Sequence, residues 1–274
     1  MIVFSNCKIN IGLHIVSKRN DGYHNIETVF YPLPLFDVLE LIDANETALT
    51  LKGILIPGNP QNNIVLKAYQ LLKKDFPALP PVHFYLLKNI PPGAGLGAGS
   101  ANGAFALTAL NKKFQLNLST DQLIKYALQL GSDCPFFISN QPCFAIGRGE
   151  QMQTIGLNLA AYKIVVVNPG IHISTPWAFQ QITPVPAKVS LQHSLSTPIE
   201  EWKDKITNDF ELPVFKANAE IASIKNKLYE AGAAFALMSG SGSTVYGLFA
   251  ADANPALNFP EHYFIKSLML REGY

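Results

Sequence analysis

Residues 91–102 read PPGAGLGAGSAN, and four of them, Gly93, Gly95, Gly97 and Gly99, are glycines spread over seven positions. Before this stretch comes VHFYLLKNI, an apolar run of strand length. After it comes SANGAFALTALNKKF, proline-free and rich in alanine and leucine, which suits a helix. A glycine-dense turn between a strand and a helix lets backbone N–H groups face inward and lets phosphate oxygens approach without meeting a Cβ. The helix behind it adds unpaired N–H groups and the positive end of its dipole. Ser100 stands where that helix begins, so its hydroxyl can touch a phosphate or its metal. A bare strand-to-helix turn would show the same glycines. Two better-known phosphate loops do not fit. The P-loop needs G-K-[ST] behind its glycines, and no lysine stands there. The dinucleotide fingerprint G-x-G-x-x-G matches poorly, because these glycines alternate and Asp121, near the required distance, opens a polar helix instead of ending a strand.

Outward from the loop, the periodicity keeps changing. The segment FSNCKINIGLHIVSKR reads as a strand, NDGYHN as a turn, and FDVLELID as another strand. From Asn63, the residues Ile64, Ala68, Leu71 and Leu72 lie on one helical face. Ser119 and Gln122 have capping-box spacing, and Gly131 is a stop for the helix they open. Asp133 then sits on a corner restricted by Pro135. In the second half, AYKIVVVNPG is a buried strand, 176–198 a proline-rich loop, IASIKNKLYEAGA an amphipathic helix, and AFALMSGSGSTVYGLF a strand, glycine turn and strand. The boundary between halves falls between about Gly149 and Tyr162, and the alternation of strands and helices predicts a mixed α/β or α+β protein.

Composition narrows the function classes. A chain of 274 residues, 48% hydrophobic and 15% charged, is long enough for two modest cores and shows no sign of disorder. Twenty-one basic against twenty acidic residues give a net charge of +1, with no basic cluster of the kind a nucleic-acid binder carries. No apolar run reaches the ~18–20 residues of a membrane span, and the first residues lack the pattern of a signal peptide. Three cysteines without C-x-x-C spacing argue against disulfides or zinc and suggest a reducing cytoplasm. Neither a nucleic acid nor a membrane is expected as partner, and the chain is expected to be a monomer or a weak homodimer.

With Pro91 ahead of Gly95-Leu96-Gly97 and then Ala98-Gly99-Ser100-Ala101, the loop resembles motif 2 of the GHMP kinases, approximately P-x-x-x-G-L-G-S-S-A. Ala101 departs from the double serine and leaves Ser100 as the hydroxyl. CKINIGLHI resembles the first motif of that family and LMSGSGSTVYGLF its late glycine motif. The stretch KINIGLHIVSKRNDGYHNIETVF, with LGSDCPFF, GRGE, NPGIHISTPWAF and NDFE, is similar to the branch that serves isoprenoid biosynthesis and phosphorylates an alcohol carrying a cytidine diphosphate handle.

The resemblance implies an α+β, two-lobed fold, with an N-terminal nucleotide-binding lobe (1–155) and a smaller C-terminal substrate lobe (156–274). It implies ATP with Mg²⁺, and places Pro91, Gly93, Gly95, Leu96, Gly97, Gly99, Ser100, Asn63 and Lys88 around the nucleotide. Asp133 is then the base and Lys8 the cation that keeps it ionised and offsets transition-state charge. For the acceptor, Asn10 sits near the transferred phosphate, Tyr23 stacks on the cytosine, His24 bonds its polar edge, and Phe179 forms the opposite face. Trp177 is an alternative to Phe179. Gly240 and Ser241 close the site beneath the diphosphates. Magnesium relies mainly on substrate phosphates, so the lack of an acidic cluster is no objection, and Ser100 is the protein ligand to name. Rival readings are another kinase of the family, of mevalonate or homoserine type, a silent nucleotide sensor, and a structural or RNA-binding protein.

Overall fold

The computed structural model describes residues 1–185 and 190–270. The chain divides into two compact units that alternate along the sequence. Met1–Cys7, Leu35–Pro92 and Gly97–Gln141 form the first, and Lys8–Pro34, Gly93–Leu96 and Pro142–Tyr274 the second.

The first unit takes the start of β1 (Ile2–Lys18) and the later part of β2 (His24–Asp43), followed by β3 (Ala48–Gly53), α1 (Ile64–Asp75), β4 (Val82–Lys88), α2 (Ala98–Lys113), α3 (Thr120–Leu130) and the single turn α4 (Phe136–Ser139). β4 pairs antiparallel with β2, from Val38 opposite Leu87 to Asp43 opposite Val82, and parallel with β3. Its alternation is plain: Val82, Phe84, Leu86 and Lys88 are buried while Tyr85 and Leu87 are exposed. The helices α1, α2 and α3 pack on one another. Small residues on α2 permit the close approach, since a Cβ on Gly103 would stand 2.7 Å from the Ile64 side chain. Asn63 caps α1 through the Val65 N–H at 3.0 Å, and the capping box of Ser119 and Gln122 opens α3.

The sequence predicts FDVLELID as a strand of its own, whereas it is the second half of the 20-residue β2. Pro32 and Pro34 sit inside that strand without breaking it. Besides its pairing with β1, β2 pairs over 26–30 with β5 and over 38–43 with β4, and the two prolines fall between these last two registers, neither of which needs their missing N–H.

The second unit continues with β5 (Cys143–Gly147), β6 (Gln151–Thr154), β7 (Tyr162–Asn168), α5 (Thr175–Gln180), α6 (Leu191–Leu195), α7 (Trp202–Lys205), α8 (Glu211–Ala217), α9 (Ala219–Glu230), β8 (Phe235–Met238), β9 (Val245–Ala250) and β10 (Phe264–Met269). Its four-stranded sheet has the order β10-β7-β9-β8, antiparallel throughout. Ile221, Ile224 and Leu228 form the inner face of α9 and pack with Val165, Val167, Met238 and Phe249 in one apolar cluster. The expected loop at 176–198 contains helices. Ser174 caps α5 with Pro176 in the first turn, and Ser190 caps α6. Positions 186–189 of that loop lie outside the described residues. Among the described residues, no helix is long and apolar enough to cross a membrane.

Candidate active site

The four glycines of residues 93–99 do not all play the same part. Gly93, Gly95 and Gly97 have φ of +66°, +81° and +67°, a region that side chains make costly. At Gly95 a Cβ would also stand 2.1 Å from the carbonyl oxygen of Ser239. Gly97 is the N-cap of α2, and its carbonyl receives the Ala101 N–H at 2.9 Å. Gly99 is unlike the others. It is helical, and a Cβ there would meet nothing within 4 Å. The fold makes no demand for glycine at this position. The first N–H groups of the 16-residue α2 have no partner four residues back.

The side chain of Ser100, third in α2, is hydrogen-bonded to the thiol of Cys134. Burial pushes that thiol up to about 12, against the Ser100 bond, and the charge of Asp133 adds to the rise, so Cys134 stays protonated at neutral pH. The bond ties the corner of residues 131–135 to the first turn of α2. The Cys134 N–H closes the corner on the Gly131 carbonyl at 3.1 Å, and half-buried Asp133 rides on it. The first unit thus brings together the glycine helix, Ser100 and Asp133, which are separate in the sequence.

In the second unit, Lys8 and Asn10 lie two residues apart on β1 and are 3% and 2% exposed. Side chains two apart share a face of a strand. The Lys8 Nζ donates to Asn10 Oδ1 at 2.5 Å and sits 4.7 Å from the centre of the Phe30 ring. Asn10 Nδ2 donates to Thr28 Oγ1 at 2.9 Å, and Thr28 in turn to the Gly12 carbonyl at 2.6 Å, so the Asn10 carboxamide is fixed in orientation. Residues 94–96 are sewn to the same place. The Lys8 N–H donates to the Leu96 carbonyl at 3.0 Å, and the Thr244 N–H to the Ala94 carbonyl at 3.2 Å. The Ser239 hydroxyl accepts from the Asn10 N–H at 3.1 Å and donates to the Gly95 carbonyl at 2.8 Å. Gly240 lies against Gly95 and Asn10, with a hypothetical Cβ 3.3 Å from the Gly95 Cα, and the Ser241 hydroxyl meets that of Thr175 at 2.9 Å. Lys8, Asn10, Gly95, Leu96, Gly240 and Ser241 therefore converge.

The DGYH turn supplies an aromatic surface. Asp21 accepts from the Tyr23 N–H at 3.1 Å and pairs with Arg19, whose hydrogen bond holds the carboxyl below its usual range. Tyr23 is 54% exposed, and the Arg148 guanidinium lies 4.6 Å over its ring. His24 stacks on Phe179 with ring centres 4.7 Å apart and planes 13° from parallel, while Phe179 meets Phe210 edge-on. Burial, with Lys18 nearby, holds the imidazole pKa below its ordinary value, so His24 is neutral at neutral pH. The sequence reading opposes Tyr23 to Phe179 across the base. The structure instead gives Phe179 the imidazole of His24 and gives Tyr23 the guanidinium of Arg148. Trp177 and Phe179 are both half-buried against the apolar cluster of the second unit. The sequence gives Arg148 no role, because a single arginine in a hairpin turn carries no signal until the turn at 19–23 is placed against it.

Two expected nucleotide residues are occupied by the fold. Lys88 forms a fully buried ion pair with Asp37, whose other oxygen accepts from the N–H groups of Asn89 at 2.8 Å and Ile90 at 3.0 Å. Burial lowers the Lys88 pKa and Asp37 opposes the shift. The ammonium anchors the exit of β4 into the glycine loop and is not presented at a surface. Asn63 likewise has its side-chain oxygen bound as a helix cap. Among the described residues no group of three or more His, Cys, Asp or Glu could hold a metal ion.

Residues 63–147 match the family model described as GHMP kinases N terminal domain, and residues 191–265 the one described as GHMP kinases C terminal. A protein of Bacteroides fragilis named 4-diphosphocytidyl-2-C-methyl-D-erythritol kinase is 50% identical over 256 residues, covering 92% of this chain and 93% of its own. One of the same name from Parabacteroides distasonis is 45% identical over 273 residues, covering 100% and 99%. A crystal structure of 4-(cytidine 5'-diphospho)-2C-methyl-D-erythritol kinase superposes with a TM-score of 0.79 at 28% identity, over 92% of this chain and 91% of that one.

Proposed function

The chain belongs to the GHMP kinase family, and from that premise we propose that it transfers the γ-phosphoryl group of ATP to the 2-hydroxyl of 4-diphosphocytidyl-2-C-methyl-D-erythritol, a step of the non-mevalonate isoprenoid route. The observation that carries this reading is the likeness, along nearly the whole chain, to kinases that bear that substrate in their name. We assign residues 1–155 to the ATP-binding domain and 156–274 to the C-terminal domain.

Phosphoryl transfer asks a protein for position and for charge stabilisation more than for covalent chemistry. The N–H groups of residues 97–100 take the phosphates of ATP. Asp133 accepts the proton of the attacking hydroxyl. Lys8, a buried ammonium fixed by Asn10, offsets the charge on the moving group. Asn10 holds the acceptor near that group. Tyr23 offers an exposed ring for the cytosine, and neutral His24, braced on Phe179, can donate to or accept from its polar edge. Stacking on an aromatic ring contributes about 1–3 kcal/mol in single-strand nucleic-acid binders, enough to select a base-bearing acceptor. Mg²⁺ fits this arrangement as an ion carried on the phosphate oxygens with Ser100 as its protein ligand, and when bound it neutralises charge on the phosphates.

The test is ATP consumption with four acceptors in parallel: the cytidyl compound, methylerythritol phosphate, mevalonate and homoserine. Turnover of the cytidyl compound alone is expected. No turnover of it, or equal turnover of mevalonate, would sink the assignment.

A further inference from the structure

The motif NDFE, residues 208–211, plays no part in the mechanism above, yet it grips the turn whose Ser239 bonds Asn10 and Gly95. Asn208 is 3% exposed. Its Nδ2 donates both hydrogens, to the Met238 carbonyl at 2.7 Å and to the Gly240 carbonyl at 2.8 Å, while its Oδ1 accepts from the Phe210 N–H at 3.0 Å. Glu211 accepts from the Met238 N–H at 2.9 Å and pairs with Lys225 at 2.6 Å. Met238 ends β8, which is the edge strand of its sheet. In a strand, a residue's N–H and C=O point to the same side. On the open side of Met238 those two groups meet Glu211 and Asn208, so the motif does at one residue what a fifth strand would do.

The motif is itself fixed to β1. The Leu13 N–H donates to the Thr207 carbonyl at 2.9 Å, the Asp209 N–H to the Leu13 carbonyl at 2.9 Å, and the Ile15 N–H to Asp209 Oδ2 at 2.7 Å. The path from this anchor is short. Asn208 holds Met238 and Gly240, and between them Ser239 bonds both the Asn10 N–H and the Gly95 carbonyl.

We propose that Asn208 is a positioning residue for phosphoryl transfer: it fixes the carbonyls of Met238 and Gly240, and through Ser239 sets the register of Gly95 and Asn10. The proposal rests on the kinase reading above. An asparagine suits the place because its amide offers two donors and one acceptor, and three backbone groups use all three. Aspartate has the same shape but would aim a carboxylate at two carbonyls.

Asn208→Asp and Asn208→Ala are compared with Val214→Ala, which opens a cavity in the core on α8 and removes no hydrogen-bonding group of the path. Melting temperature, the KM of ATP and of the cytidyl acceptor, kcat, and the affinity for ATP alone by calorimetry are measured where every protein is folded. Val214→Ala should lose melting temperature and keep its kinetics. The Asn208 variants should lose kcat/KM on the order of 100-fold, the cost of displacing a reacting group by about 1 Å, and should bind ATP more weakly. Should they not fold, Ser239→Ala removes the hydroxyl one step along the same path and should weaken ATP binding by itself. Kinetics like those of Val214→Ala, or a silent Ser239→Ala, overturn the proposal. A wild-type protein that turns over no cytidyl acceptor overturns the acceptor assignment instead, and the calorimetry with ATP still decides the role of Asn208.

Discussion

Gly99→Ala and Gly95→Ala, four residues apart in one loop, should fail in opposite ways. At Gly99 the backbone is helical and a new methyl meets nothing within 4 Å. Exchanging a helical glycine for alanine stabilises by roughly 0.5–1 kcal/mol, so the melting temperature should hold or rise by about 1–4 °C. If the phosphates sit on the helix N–H groups as proposed, the methyl would crowd the oxygen that reaches them. Losing one hydrogen bond to a charged group costs about 1.5–3 kcal/mol, which is a loss of ATP affinity of roughly 10- to 150-fold. At Gly95 the methyl would stand 2.1 Å from the Ser239 carbonyl oxygen and 3.1 Å from that of Gly242, on a residue with φ of +81°. Left-handed strain of about 1–2 kcal/mol and overpacking of about 1–3 kcal/mol add to roughly 2–5 kcal/mol. Because both crowded atoms are backbone, no rotamer relieves the clash. A drop of roughly 5–20 °C in melting temperature follows. Differential scanning calorimetry and ATP titration of both variants separate the two effects. Unchanged ATP affinity in Gly99→Ala refutes the phosphate reading of the helix end, and a wild-type melting temperature in Gly95→Ala refutes the packing described for the turn.

Asp133→Asn should lower kcat by a factor on the order of 100 or more, the range removed with a general base, while calorimetry shows ATP still bound; an unchanged kcat takes Asp133 out of the mechanism. Lys88→Met leaves Asp37 buried without its cation and should destabilise by about 3–5 kcal/mol, with the KM of ATP unchanged in folded protein; a raised KM without lost stability would return Lys88 to the nucleotide site. His24 has a folded pKa below its usual 6.5, so the unfolded chain binds the extra proton first. Its contribution to stability is therefore complete above about pH 6.5 and declines as pH falls toward the folded value. His24→Asn should flatten that part of the stability curve, and a curve identical to wild type would contradict the burial assigned to the ring.

The secondary elements around the glycine loop were legible because local rules set them. Periodicity marked α1 and α9, the capping box marked the start of α3, and the glycine turn marked β8 and β9. The edge strands β3, β6 and β10 were not seen, since their half-exposed residues lack a strong period and pairing with a neighbour makes them strands. FDVLELID reads as a strand of its own, and only the finished sheet shows that it continues the strand begun at His24.

At the candidate site, the sequence by itself determined where the glycines of 93–99 stand between a strand and a helix, and the family resemblance singled out Lys8, Asp133 and the DGYH turn for the roles proposed. Local strings record conformational demand and chemical identity, and both survive without neighbours. Only the tertiary structure decided what each polar group is bound to. It gave Lys88 to Asp37, Asn63 to its helix, Phe179 to His24, Arg148 to Tyr23, and Asn208 to the carbonyls of Met238 and Gly240. A buried donor or acceptor must find a partner, and that partner stands 51 residues away for Lys88 and 30 for Asn208. Distances of that kind are created by folding and have no trace in spacing along the chain.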